Sequence, residues 1–134
     1  MREFLFRGKC KDTGEWLEGN LFYNTRSYFI RQKCTDDPYW IHFEHKRVVP
    51  ETVGQFTGIL DKDGKKIFEG DIIRYGDIIG VINYSTGCYC VKTNKPDWRS
   101  RNNPAIDIVL NEYPNEIRVI GNIHDNPELL EVNQ

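Results

Sequence analysis

Apolar residues along this chain recur at every second position or in short blocks broken by Gly, Asn, Asp and Pro, the pattern of strands and turns. In Arg2–Arg7, Phe4 and Phe6 alternate with Glu3, Leu5 and Arg7, which predicts a first strand. Asp12-Thr13-Gly14 turns the chain into Trp16–Tyr23, a second strand interrupted by Gly19, where a bulge is expected. Asn24-Thr25-Arg26 turns it again into Ser27–Gln32, with Tyr28 and Ile30 on one face. Together these three strands make a meander. Lys33–Pro38 reads as a polar loop and Tyr39–Phe43 as a short aromatic strand. Val48-Val49-Pro50 is extended, because the residue before a proline is pushed out of the α region.

The centre of the pattern is Glu51–Tyr75. Two apolar segments, Val53–Leu60 and Lys66–Phe68, flank the polar turn Asp61-Lys62-Asp63-Gly64-Lys65, and Asp-Gly between apolar segments is a hairpin signal. Glu69-Gly70-Asp71 then predicts a sharp corner into Ile72–Tyr75. Further strands are expected at Ile78–Tyr84, Cys88–Lys92, Ala105–Leu110 and Ile117–Ile123, with a bulge in Ile120-Gly121-Asn122-Ile123 and a long loop over Thr93–Pro104. Asn126-Pro127-Glu128-Leu129-Leu130 reads as a closing helical turn, with Asn126 as its N-cap and Pro127 at the first helical position.

Composition agrees with a β fold. Aromatics at 13%, eleven glycines, one Met and few alanines favour strands and turns over helices. The 134 residues suffice to bury a core. A net charge of -2 points to no strongly charged partner, and no apolar run reaches the ~18 residues of a membrane span. The N-terminus has no apolar signal-peptide core, so a cytoplasmic setting and reduced thiols at Cys10, Cys34, Cys88 and Cys90 are expected.

Several blocks together resemble the YopX family, small proteins encoded by bacteriophages and prophages: REFLFRGK and EWLEGNL near the start, PETVGQFTGILDKDGKKIFEGDII in the centre and VIGNIHDNPELL at the end. Tyr75 to Arg118 matches only in pattern. The resemblance implies a β fold whose C-terminal part is like an SH3-type barrel. It implies no activity, because the family has no known function and no catalytic motif to carry over.

The candidate chemistries fall short of established motifs. Aligning Gly64 with the sixth position of an EF-hand loop puts Ile59 first and Gly70 twelfth, so Asp61-Lys62-Asp63-Gly64 reads as a solvated turn. On a strand, His42 and Glu44 face one way and His45 the other, and Cys88-x-Cys90 lacks the spacing of structural zinc ligands. Glu69 and Asp71 form a conceivable carboxylate pair, but Asp71 at a turn is expected to accept backbone amides. Lys92, Lys95, Trp98, Arg99 and Arg101 place four cations around one aromatic in a loop, the composition of a single-strand grip. Elsewhere the charge is balanced and gives no basic face that the sequence can show.

The resulting expectation is a mainly β protein. An N-terminal meander over 1–50 accompanies an SH3-like barrel region over 51–134, the two forming one compact unit. The leading function is a non-enzymatic accessory protein of the bacterial cytoplasm, without cofactor or metal, that binds a protein partner or itself and no membrane. The alternative is a nucleic-acid module using Lys92, Lys95, Trp98, Arg99 and Arg101. A hydrolase built on Glu69 and Asp71 comes third.

Overall fold

The computed structural model describes residues 4–24, 26–33, 43–85, 87–93, 104–112 and 115–131. The fold is mainly β, with two antiparallel sheets and two short α-helices among the described residues. The chain divides into two compact units, Met1–Phe56 and Thr57–Gln134, with the division inside the fifth strand. Among the described residues no helix is long and apolar enough to cross a membrane.

In the N-terminal unit, β1 (Phe6–Lys9), β2 (Trp16–Tyr23), β3 (Tyr28–Lys33) and β4 (Phe43–Val48) form an antiparallel meander in the order β4-β3-β2-β1. The start of β5 (Gly54–Leu60) pairs with the other edge of β1, Phe6 opposite Gln55 and Arg7 opposite Gly54. Alternation decides which residues are buried: Cys10, Leu17, Ile30 and Val48 make a core with Phe6, Leu21, Tyr28 and Val53 packed against it. Each fully buried aliphatic side chain there contributes about 1.5–3 kcal/mol.

Three expectations in this unit are corrected. The first strand starts at Phe6 and runs to Lys9, the stretch that pairs with Trp16–Gly19, and Phe4 stays exposed. Gly19 marks no bulge, since its register with Phe6 is regular; a Cβ there would collide with the Arg31 carbonyl oxygen, so the glycine lets β3 approach. The fourth strand is Phe43–Val48, a mostly polar segment that pairs along its whole length with β3. Residues 39–42 of the expected aromatic strand lie outside the described residues. Val49 is extended before Pro50, as expected, and a short 3-10 turn follows at Pro50–Thr52.

In the C-terminal unit, the rest of β5 and β6 (Lys66–Phe68) flank the Asp61–Lys65 turn. A four-stranded sheet follows in the order β10-β7-β8-β9, from β7 (Asp71–Tyr75), β8 (Ile78–Ser85), β9 (Cys88–Thr93) and β10 (Arg118–Asn122). The expected bulge in β10 is present, as a register shift between Val119 and Gly121. Ile67, Ile73, Ile82, Val91 and Ile117 lie at the centre of the core.

Ala105–Leu110 is not a strand. Ala105 makes a single bridge to Cys90, and α1 (Ile106–Glu112) then begins. Ile106 and Val109 are buried while Asp107 and Ile108 are exposed, a spacing of three that suits a helix face. The closing turn exists as α2 (Glu128–Glu131), and the carbonyl of Asn126 accepts the Leu129 N–H at 3.1 Å, while the Asn126 side chain turns to the end of β10. Its Oδ1 accepts the Asn122 N–H at 3.3 Å and lies over Gly121, where a Cβ would come within 2.6 Å of it.

Candidate functional site

The pairing registers of β1–β4 place a set of outward residues on one face. Arg7 stands opposite Glu18, Lys9 opposite Trp16, Asn20 opposite Arg31 and Phe22 opposite Phe29. Phe29 in turn faces Arg47, and Arg31 faces His45. Directly opposed residues project to the same side, so these ten share the face turned away from Leu17, Ile30 and Val48. On it Arg7, Lys9, Arg31 and Arg47 supply four positive charges and Glu18 one negative. Glu44 is not on this face; its carboxylate pairs with Lys46 at 3.5 Å on the other side.

Aromatic rings run between these cations. Arg7 Cζ lies 4.8 Å and Lys9 Nζ 5.7 Å from the centre of the Trp16 ring, inside cation–π range. Phe22 and Phe29 stack with centroids 5.6 Å apart and planes at 17°. His45 meets Phe22 edge-on at 4.7 Å. Phe22 remains 38% exposed in spite of both contacts. One exposed ring, Phe22, and two half-buried ones, Trp16 and Phe29, interleaved with arginine and lysine form a surface that can stack bases and neutralise phosphates.

This face lies outside the 92–101 loop, where the sequence by itself shows no basic face. Charge along the chain is balanced, but alternation sorts Arg47 from Glu44 and Lys46, and the meander gathers the outward cations of separate strands. The signal lay in the every-second-residue pattern Arg7/Lys9, Phe29/Arg31 and His45/Arg47. It could be read only once Phe43–Val48 was known to be a strand. Of the loop residues, Lys92 is exposed on β9, while Lys95, Trp98, Arg99 and Arg101 lie outside the described residues.

The remaining candidates are drawn into structure. Asp71 is 1% exposed, and its Oδ2 accepts the Phe68 N–H at 2.8 Å, the turn role expected of it. Asp61 is not solvated, as the turn reading had it. It is buried, Oδ1 accepting from Asp63 and Lys65 at 2.8 and 2.9 Å and Oδ2 from Val119 at 3.0 Å. Cys88 and Cys90 point to one side of β9 with sulfurs 3.5 Å apart; burial, followed by the neighbouring Cys88 and Asp107, raises the pKa of the Cys90 thiol. Cys10, Cys88 and Cys90 are free thiols. Cys34 and His42 lie outside the described residues. Among the described residues, no group of three or more His, Cys, Asp and Glu side chains could hold a metal ion.

Comparison with known proteins places the chain. A family model described as YopX protein matches residues 5–131. The crystal structure of protein EF1440 from Enterococcus faecalis is similar, with 27% identity and a TM-score of 0.59 over 97% of this chain and 99% of that one. No functionally curated protein matches.

Proposed function

The chain belongs to the YopX family, and we propose that it is a phage or prophage accessory protein of the bacterial cytoplasm, a non-enzymatic interaction module whose partner is a single nucleic-acid strand. The observation that carries this reading is the interleaving of Trp16, Phe22 and Phe29 with Arg7, Lys9, Arg31 and Arg47 on one sheet face. Bases stack on such rings whatever their sequence, and the arginines and lysines neutralise the backbone between them. In this reading the contact moves from the Lys92–Arg101 loop to the N-terminal meander. The C-terminal unit, read as an SH3-like small barrel, is the scaffold.

Fluorescence anisotropy with a labelled single strand tests it. Stacking on an aromatic side chain is worth ~1–3 kcal/mol per base, so Phe22→Ala is expected to weaken binding about tenfold. Phe22 is partly exposed, so the fold should survive, which a thermal melt checks. Affinity should fall with salt at a slope of about -0.7 per phosphate neutralised, hence about -3 for four cations, and Arg31→Gln should flatten that slope. Binding that ignores both substitutions would refute the reading and return a protein partner or self-association to first place.

A further inference from the structure

We propose that the cleft at the end of β4 is a phosphate site that takes the terminal phosphate monoester of a nucleic-acid strand. The cleft has a volume of about 520 Å³ and is walled in part by Lys11, Arg26 and Arg47, by the hydroxyl-bearing Ser27 and Tyr28, and by Glu51. Three cations against one carboxylate leave an excess of two positive charges. A terminal phosphate monoester carries about -1.5 to -2 at pH 7, whereas a phosphodiester within the strand carries one charge. None of the three cations is ion-paired to a described residue. Two are arginines, whose planar fork matches the spacing of phosphate oxygens.

The walls are set before any ligand arrives. The Lys11 N–H donates to the Arg47 carbonyl at 2.9 Å, tying the chain after β1 to β4. Asn24 Oδ1 accepts the amides of Arg26 and Ser27, both at 2.9 Å, and the Asn24 N–H donates to the Ser27 carbonyl at 3.0 Å. On the opposite wall the Thr52 hydroxyl donates to the Val49 carbonyl at 2.6 Å and accepts the Lys9 N–H at 2.9 Å, fixing Pro50 and Glu51. Fixed walls reduce the ordering cost of binding. Arg47 belongs both to this cleft and to the aromatic face, where Phe29 is its cross-strand partner. Arg47 is thus the residue common to the cleft and to the face on which a strand would stack.

The site rests on the proposed function only for the source of the phosphate. Two titrations separate the two claims: inorganic phosphate followed by amide chemical shifts, and anisotropy with strands ending in 5′-phosphate, 3′-phosphate or hydroxyl alone. Phosphate is expected to shift the amides of Arg26, Ser27 and Arg47 saturably. One of the phosphorylated strands should bind about tenfold more tightly than the hydroxyl-ended strand, the size of an added charge-assisted contact. Arg26→Gln should collapse that difference, and Glu51→Gln, which removes the carboxylate of the cleft, should enlarge it. If all three strands bind equally and phosphate shifts nothing, the cleft assignment is overturned while strand binding on the face stands. If phosphate binds and no strand does, a free phosphate compound is the ligand; the strand-end assignment fails, and the proposed function with it.

Discussion

Gly70→Val is expected to destabilise the C-terminal unit by about 2 kcal/mol or more, the cost of forcing a side chain into a special backbone angle. Gly70 has φ +91°, a conformation that glycine reaches freely and a β-branched residue almost never adopts. Neither neighbour can relieve the strain, because both backbone groups of Gly70 are engaged. Its N–H donates to the Ile82 carbonyl at 2.9 Å, and its carbonyl accepts the Ile123 N–H at 3.0 Å. Rotating φ to accommodate valine would break the tie to β8 and the tie to the segment after β10. Chemical denaturation of the two proteins measures the difference, and an unchanged midpoint would mean that this corner does not hold the sheet together.

The second large effect is expected at Asp61. Asp61→Ala removes one carboxylate that accepts three backbone amides, from Asp63, Lys65 and Val119. The Val119 amide is the costly one, because it is buried and loses its acceptor, a penalty of about 1–3 kcal/mol before the turn bonds are added. A total of about 3 kcal/mol follows. The same carboxylate makes stability depend on acid. Burial pushes the Asp61 pKa up, but the amides of Val119, Lys65 and Asp63 and the charge of Lys65 outweigh it and lower the pKa below the ordinary aspartate value. A depressed folded-state pKa gives stability that is fully present above the unfolded value of 3.8 and is lost as pH falls through the folded one. Denaturation midpoints measured from pH 7 down to pH 2 should converge between wild type and Asp61→Ala at the acid end. Parallel curves would show that Asp61 is not the acceptor described.

Both residues sit in the stretch where the chain was most legible, yet only one was read in full. Gly70 between two apolar segments announces a corner, because a turn needs the positive φ that glycine supplies. The Asp61 turn was legible from Asp63-Gly64, but its bond to Val119 joins residues 58 positions apart, and nothing local encodes it. Ala105–Leu110 misled because isoleucine and valine favour strands, while the burial of Ile106 and Val109 obeys the helical period. Phe43–Val48 misled in the opposite sense: four polar residues between two apolar ones carry almost no apolar alternation, and pairing with β3 makes the strand. That omission hid the candidate face. A loop shows its charges side by side in the sequence, whereas a sheet collects alternate residues from segments tens of positions apart.

Amide chemical-shift mapping of the full chain, titrated with a short single strand at ~150 mM salt, near the physiological ionic strength that screens non-specific contacts, tests the central claim most directly. The account predicts saturable shifts concentrated on β1–β4, at Arg7, Trp16, Phe22, Phe29, Arg31, His45 and Arg47, with the β7–β10 sheet unmoved. Shifts confined to Lys92 and the residues up to Arg101, or none anywhere, would contradict it.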